Sequence, residues 1–418
     1  MAAETASKRR SSRNSAIELL CLISMLMIVG HHYVRGGAVG EFGNWIASQS
    51  ISLSKFVYQF IYMRGGWIDD CVFFTISVWF LIDRKQTLRG CFRRVWLMER
   101  QLLFCSLTLL VVTYVLQKID YFDVSLLPLS VYSLFPLSFN LWWCPTSYAL
   151  FLLFLPFLLK GGDTLGKRMH RMLAIGVLVI WGFLGMIPHV QFNLHTGTVF
   201  VFMYWFVLLT YYKWYMKRIS AKTAIILMPS GLIIYLIYWA GANIIYTVTH
   251  SFLFLQNFPY DHWFVASMLI GFDLFSLAEM REWHSSFVNY LAESAFLVYI
   301  IYTTIPSIWE RFVSIQDVFT SSHPLLFGAC AILGIFFVCL FLDCIRQFLF
   351  KVTVDRHEGR WSDRPWEFAE ARIVRRGKHV GQRSFPPCEK AALPLLRSFV
   401  RKCIWGTGYR PRYTMSPA

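Results

Sequence analysis

Adjacent histidines, His31 and His32, close an apolar run that opens with a carboxylate, Ile17-Glu18 followed by Leu19 through Gly30. Histidine is the side chain best suited to move a proton near neutral pH. A run of about 18 apolar residues is long enough to cross a bilayer. An ionisable group in such a span costs at least ~2.5 kcal/mol near the bilayer centre, so its presence points to a use. The first helix therefore reads as a catalytic helix, not a plain anchor. His32 is the leading base and His31 the second candidate. Neighbouring helix positions point about 100° apart, so one faces the bundle while the other reaches the headgroups. The competing reading is an interfacial histidine pair without chemistry. Glu18 lies near the opposite membrane face and is expected to hold a basic residue there.

The elements that position these residues follow from composition. The chain has 418 residues, 56% hydrophobic and 18% aromatic, which excludes an ordinary soluble domain. The fold class read from it is all-α, a polytopic membrane helix bundle. Hydropathy places about ten spans near 17–34, 66–82, 100–117, 146–160, 172–188, 197–212, 223–247, 263–279, 287–305 and 324–345. Pro156 is expected to tilt or break the fourth. With the amino terminus inside, Lys and Arg gather in the loops on one side, from Arg84-Lys85 and Arg93-Arg94 to Lys217-Arg218 and Arg281. Asp120, Asp123, Asp261 and Glu310 mark the other side, so both termini are expected in the cytoplasm.

Three segments result: a basic amino terminus at 1–16, a membrane domain at 17–350 and a basic, partly disordered tail at 351–418. The amino terminus carries four Lys/Arg against one Glu, and the tail 15 Lys/Arg against six Asp/Glu. Beside a membrane domain such charge is expected to lie on anionic lipid, not nucleic acid. No small-residue cleavage site follows the first apolar run, which reads as a retained span in a multi-pass plasma-membrane protein. The apolar patch near 393–400 fits an interfacial helix. The stretches 35–65 and 118–145 are expected to fold over the outer face. The cysteines lack the spacing of a zinc site, and no metal or bound cofactor is expected.

Other polar residues in the spans are weaker candidates. Asp273 sits near the middle of the eighth span, where a charge needs a partner or a wet cavity. Ser77 suits either a site role or a bond to the preceding helical turn. Asp69 and Asp70 open the second span and read as helix-start carboxylates. Trp143 and Tyr148 fall where an aromatic belt is expected. Glu293 suits a pair with a basic loop residue. Arg94 and Arg100 read first as topology signals and second as docking groups for donor phosphates.

Four motifs in order resemble the acyltransferase-three family of integral-membrane O-acyltransferases. They are Arg13-Asn14-Ser15-Ala16-Ile17-Glu18-Leu19-Leu20 running to His31-His32-Tyr33, then Cys71-Val72-Phe73-Phe74-Thr75-Ile76-Ser77. Next come Leu141-Trp142-Trp143-Cys144-Pro145-Thr146-Ser147-Tyr148 and Asn289-Tyr290-Leu291-Ala292-Glu293-Ser294 leading to Tyr302. The resemblance implies transfer of an acyl group, commonly acetyl, from a cytoplasmic coenzyme A-linked donor to a hydroxyl of a surface glycan or lipid-linked saccharide. It adds Tyr302 to the site, at a place where members often carry histidine. Members also carry an arginine ahead of the first-helix histidine, and here Cys21 stands in its place. A thiol does not offer the fixed donor fork of a guanidinium. Cys21 therefore keeps open a catalytically impaired relative with a structural or partner-binding role, and the ten spans with intramembrane Asp273 keep open a transporter or flippase.

Overall fold

The computed structural model describes residues 13–35, 41–119, 125–187, 190, 192, 194, 197–251, 261–304, 309 and 312–354, all within the unit Met1–Glu358. The tail segment and its 393–400 patch lie outside the described residues. In chain order the helices are α1 (Ser15–Arg35), α2 (Glu41–Ser48), α3 (Leu53–Ile82), α4 (Leu88–Lys118), α5 (Leu126–Leu134), α6 (Trp143–Met186) and α7 (Val199–Tyr215). They continue with α8 (Ala221–Thr249), α9 (Val265–Glu279), α10 (Ser286–Ala292), α11 (Ala295–Thr304), α12 (Ile315–Thr320) and α13 (Pro324–Val352). Among the described residues there is no strand, and the architecture is an all-α polytopic bundle. Six helices, α1, α3, α4, α6, α8 and α13, are each long and apolar enough to cross a bilayer alone.

The hydropathy windows all fall chiefly on helix, but the chain cuts some of them differently. The fourth and fifth share α6, which runs through Pro156 and turns at Gly166, at φ +66°. α6 runs on through Pro156 without a break, and the turn at Gly166 falls between the fourth and fifth windows, dividing them where hydropathy does. Proline removes one ladder donor, whereas a positive φ is cheap only for glycine. The ninth window divides into α10 and α11 at Glu293-Ser294.

The second span begins well before its hydropathy window. Residues from Leu53 onward are helical, through a π turn at Val57–Tyr62, and continue without a gap to Ile82. Lys55 breaks the apolar pattern there, yet its ammonium is buried and donates to the carbonyls of Ala47 (2.7 Å) and Gln49 (2.8 Å) at the end of α2. A cation that satisfies helix-end carbonyls is accommodated inside the bundle.

α1 and α3 are the enclosed centre. Of their apolar windows 56% and 72% are buried, against 17% in α6, 22% in α4 and α8, and 33% in α13. α3 packs on α1, α7 and α9, while α1 also meets α10, α11 and α13. One core joins Phe74, Phe151, Phe202 and Phe275 across α3, α6, α7 and α9; a second joins Met25, Val29, Val298 and Phe336 across α1, α11 and α13. Outward positions such as Val111, Ile226, Ile237 and Phe341 stay apolar and exposed, as a hydrocarbon solvent requires. α1 and α3 approach closely at Gly66, where an added Cβ would lie 2.6 Å from His31 Cγ. A residue with no side chain is what such a backbone contact admits.

Candidate functional site

A small open pocket lies where α1, α3, α6 and α11 converge. From α1 come His31, His32 and Arg35 on the last turns; from α3 come Gly66, Trp67, Asp70 and Phe73. The start of α6 adds Trp143 and Cys144, and α11 adds Phe296 and Tyr299.

The two histidines are held differently. His31 is buried, wedged against Gly66 and edge-on to Trp67 at 5.2 Å. His32 is half-buried, with its ring 6.1 Å from both Tyr299 and Tyr302. Tyr302 is in turn stacked on Trp309 at 6.3 Å. Arg35, three residues beyond His32, lies on the same helix face and brings a guanidinium to the rim. A proton acceptor, a donor fork and flat aromatic walls thus share one concave space.

Several sequence candidates stand elsewhere. Glu18 is ion-paired with Arg13 (Oε1 to Nε, 2.6 Å), and Arg13 also reaches Glu293 (3.3 Å). Glu18 therefore holds a basic residue at the amino-terminal end of α1 and has no part in the cavity. Cys21, one turn on, is half-buried against the second core. Ser77 lies two turns below Asp70 on α3, about 10 Å along the axis and outside the lining. Tyr148 stands against Phe202 at 5.4 Å in the first core. Arg94 donates to Gln86 (2.6 Å) near the amino-terminal end of α4, and Arg100 is half-buried one to two turns further along. Asp273 is buried in α9, its Oδ2 without a hydrogen-bond partner, and it does not line the cavity.

Asp69 and Asp70 do not cap a helix. α3 begins at Leu53, so both carboxylates sit in its interior, Asp69 buried and Asp70 facing the cavity. The sequence reading of a helix start is corrected by the helical stretch ahead of them. The sequence assigns no role to Arg35 or Tyr299, nor to His262, which packs behind the wall, and it offers Asp70 only as a helix-start carboxylate. Arg35 had a signal in its spacing from His32, while His262 precedes Trp263-Phe264 at the head of an apolar span and shows no pattern of its own.

A family model described as an acyltransferase domain, that of acyltransferase-three, matches residues 14–344. No curated protein and no solved structure matches the chain.

Proposed function

The chain belongs to the acyltransferase-three family and is a membrane acyltransferase, and on that premise we propose that it moves an acetyl group from coenzyme A to a hydroxyl of a cell-surface glycan or lipid-linked saccharide at the plasma membrane. The observation that carries this reading is the cavity itself, where the half-buried His32 shares a pocket with Arg35, Trp67, Asp70 and Trp143. His32 takes the proton of the acceptor hydroxyl as its oxygen attacks the thioester carbonyl. Arg35 offers its donors to the oxyanion that develops there. The C–S bond then breaks, the imidazolium returns its proton to the departing thiolate, and an O-ester and free coenzyme A thiol remain. The tryptophan faces suit the apolar side of a pyranose ring. The donor comes from the cytoplasmic side, between Arg13 at the inner end of α1 and the cavity above it.

Purified protein in lipid vesicles, given radiolabelled acetyl-coenzyme A and oligosaccharide released from the cell's own surface glycan, tests the reading. Label should move to the saccharide with wild type and not with His32→Ala. Cys21, in the place of the family arginine, favours a second reading, an impaired relative whose turnover is low until a guanidinium is restored at that position. Movement of saccharide across the vesicle without any acyl donor would point instead to a transporter.

A further inference from the structure

Behind the cavity wall lies a third imidazole, which has no part in the acyl transfer. His262, in the turn that leads into α9, is fully buried, and neither ring nitrogen makes a hydrogen bond. Its ring plane runs near-parallel to those of Trp67 (centroids 5.7 Å apart), Phe74 (4.8 Å) and Trp143 (6.3 Å), with Trp263 edge-on at 4.7 Å. Trp67 and Trp143 are themselves cavity wall, so His262 sits one layer back. Its charged neighbour is Asp70, whose Oδ2 is 3.9 Å from Nδ1 and whose side chain faces the cavity. A phenyl ring would stack among these aromatics equally well, and a buried polar group without a partner is costly. What a histidine adds at this position is a donor aimed at Asp70.

We propose that Asp70 is the acceptor-binding carboxylate of the cavity and that His262 is its positioning residue. The inference rests on the acyl-transfer reading above. Nδ1–H is the donor and the carboxylate the acceptor. Closing 3.9 Å to a hydrogen bond of about 3.0 Å takes a shift of about 1 Å, and bonds of this kind commonly tighten only when substrate arrives. Asp70 then gives one oxygen to His262 and the other to the substrate. That second oxygen accepts from a hydroxyl beside the one being acylated, so the pocket selects saccharides with adjacent hydroxyls over their deoxy analogues.

The test uses the full-length protein with acetyl-coenzyme A and the released oligosaccharide, comparing His262→Phe, His262→Asn and Asp70→Asn. His262→Phe keeps the aromatic stack and is expected to raise the acceptor KM about tenfold or more, with kcat within about threefold, since a buried acceptor loses its donor. His262→Asn, which returns an N–H near the Nδ1 position, should restore most of the affinity. Equal losses in KM and kcat, or no rescue by asparagine, would overturn the proposal. A double-mutant cycle of Asp70→Asn and His262→Phe on the unfolding midpoint gives a readout free of activity. If wild type transfers no acetyl group, the acyl-transfer reading fails by itself. Coupled effects in the cycle would then still support the pair, and additive effects would overturn it.

Discussion

Gly66→Ala is the sharpest perturbation the packing of α1 on α3 allows. The new methyl would stand 2.6 Å from His31 Cγ and 3.2 Å from Nδ1. Ordinary carbon contacts are about 3.5–4.0 Å, so the end of α1 must retreat by about 1 Å. Overpacking of this size costs ~1–3 kcal/mol, leaving the bundle folded. A displacement of about 1 Å at reacting groups, by contrast, costs on the order of 100-fold in rate. The expected result is therefore a kcat about 100-fold lower with a modest fall in the unfolding midpoint in detergent. Gly241→Ala on α8 is the control, because nothing lies within 4 Å of its added Cβ. It should keep wild-type turnover and gain ~0.5–1 kcal/mol from the helix preference of alanine. Wild-type turnover and stability in Gly66→Ala would refute the argument that this contact sets the histidines.

Three further outcomes follow from other contacts. Cys21→Arg places a guanidinium one turn from Glu18 and about 16 Å along α1 from His32; turnover measured with acetyl-coenzyme A should stay within about twofold, and a large gain would favour the impaired-relative reading. Asp343→Ala strands Arg346, which is buried and bonded to Asp343 at 2.5 Å; unfolding in detergent should show a loss of ~3–5 kcal/mol. Asp273→Asn removes a buried carboxylate with an unpaired oxygen, remote from the cavity; turnover should stay within about twofold and the unfolding midpoint should not fall.

Helix content and the apolar windows were legible because a bilayer imposes length and composition on every span. The boundaries were not, and the reasons are local. Lys55 and Gln59 interrupt the apolar pattern ahead of the second span, but Lys55 finds its acceptors at the end of α2 and Gln59 accepts from Trp239 Nε1 (3.1 Å). Hydropathy counts those residues as polar and ends the helix; their tertiary partners continue it. The misplaced start then made Asp70 look like a helix-start carboxylate. His32 was visible as an ionisable group in an apolar run, and the pairing of Glu18 with a base was visible from its distance to His32. His262 was not, since its meaning depends on Asp70, nearly two hundred residues away in sequence and 3.9 Å away in space.

The central claim is that His32, at the mouth of this cavity, carries out acyl transfer to a surface saccharide. O-acetyl content of the surface glycan, measured in cells lacking the gene and complemented with wild type or His32→Ala, tests it most directly. Loss on deletion, recovery with wild type and no recovery with an equally abundant His32→Ala protein is the predicted result. Full recovery with His32→Ala would contradict the assignment of the base, and acetylation unchanged by deletion would contradict the acetyl-transfer function.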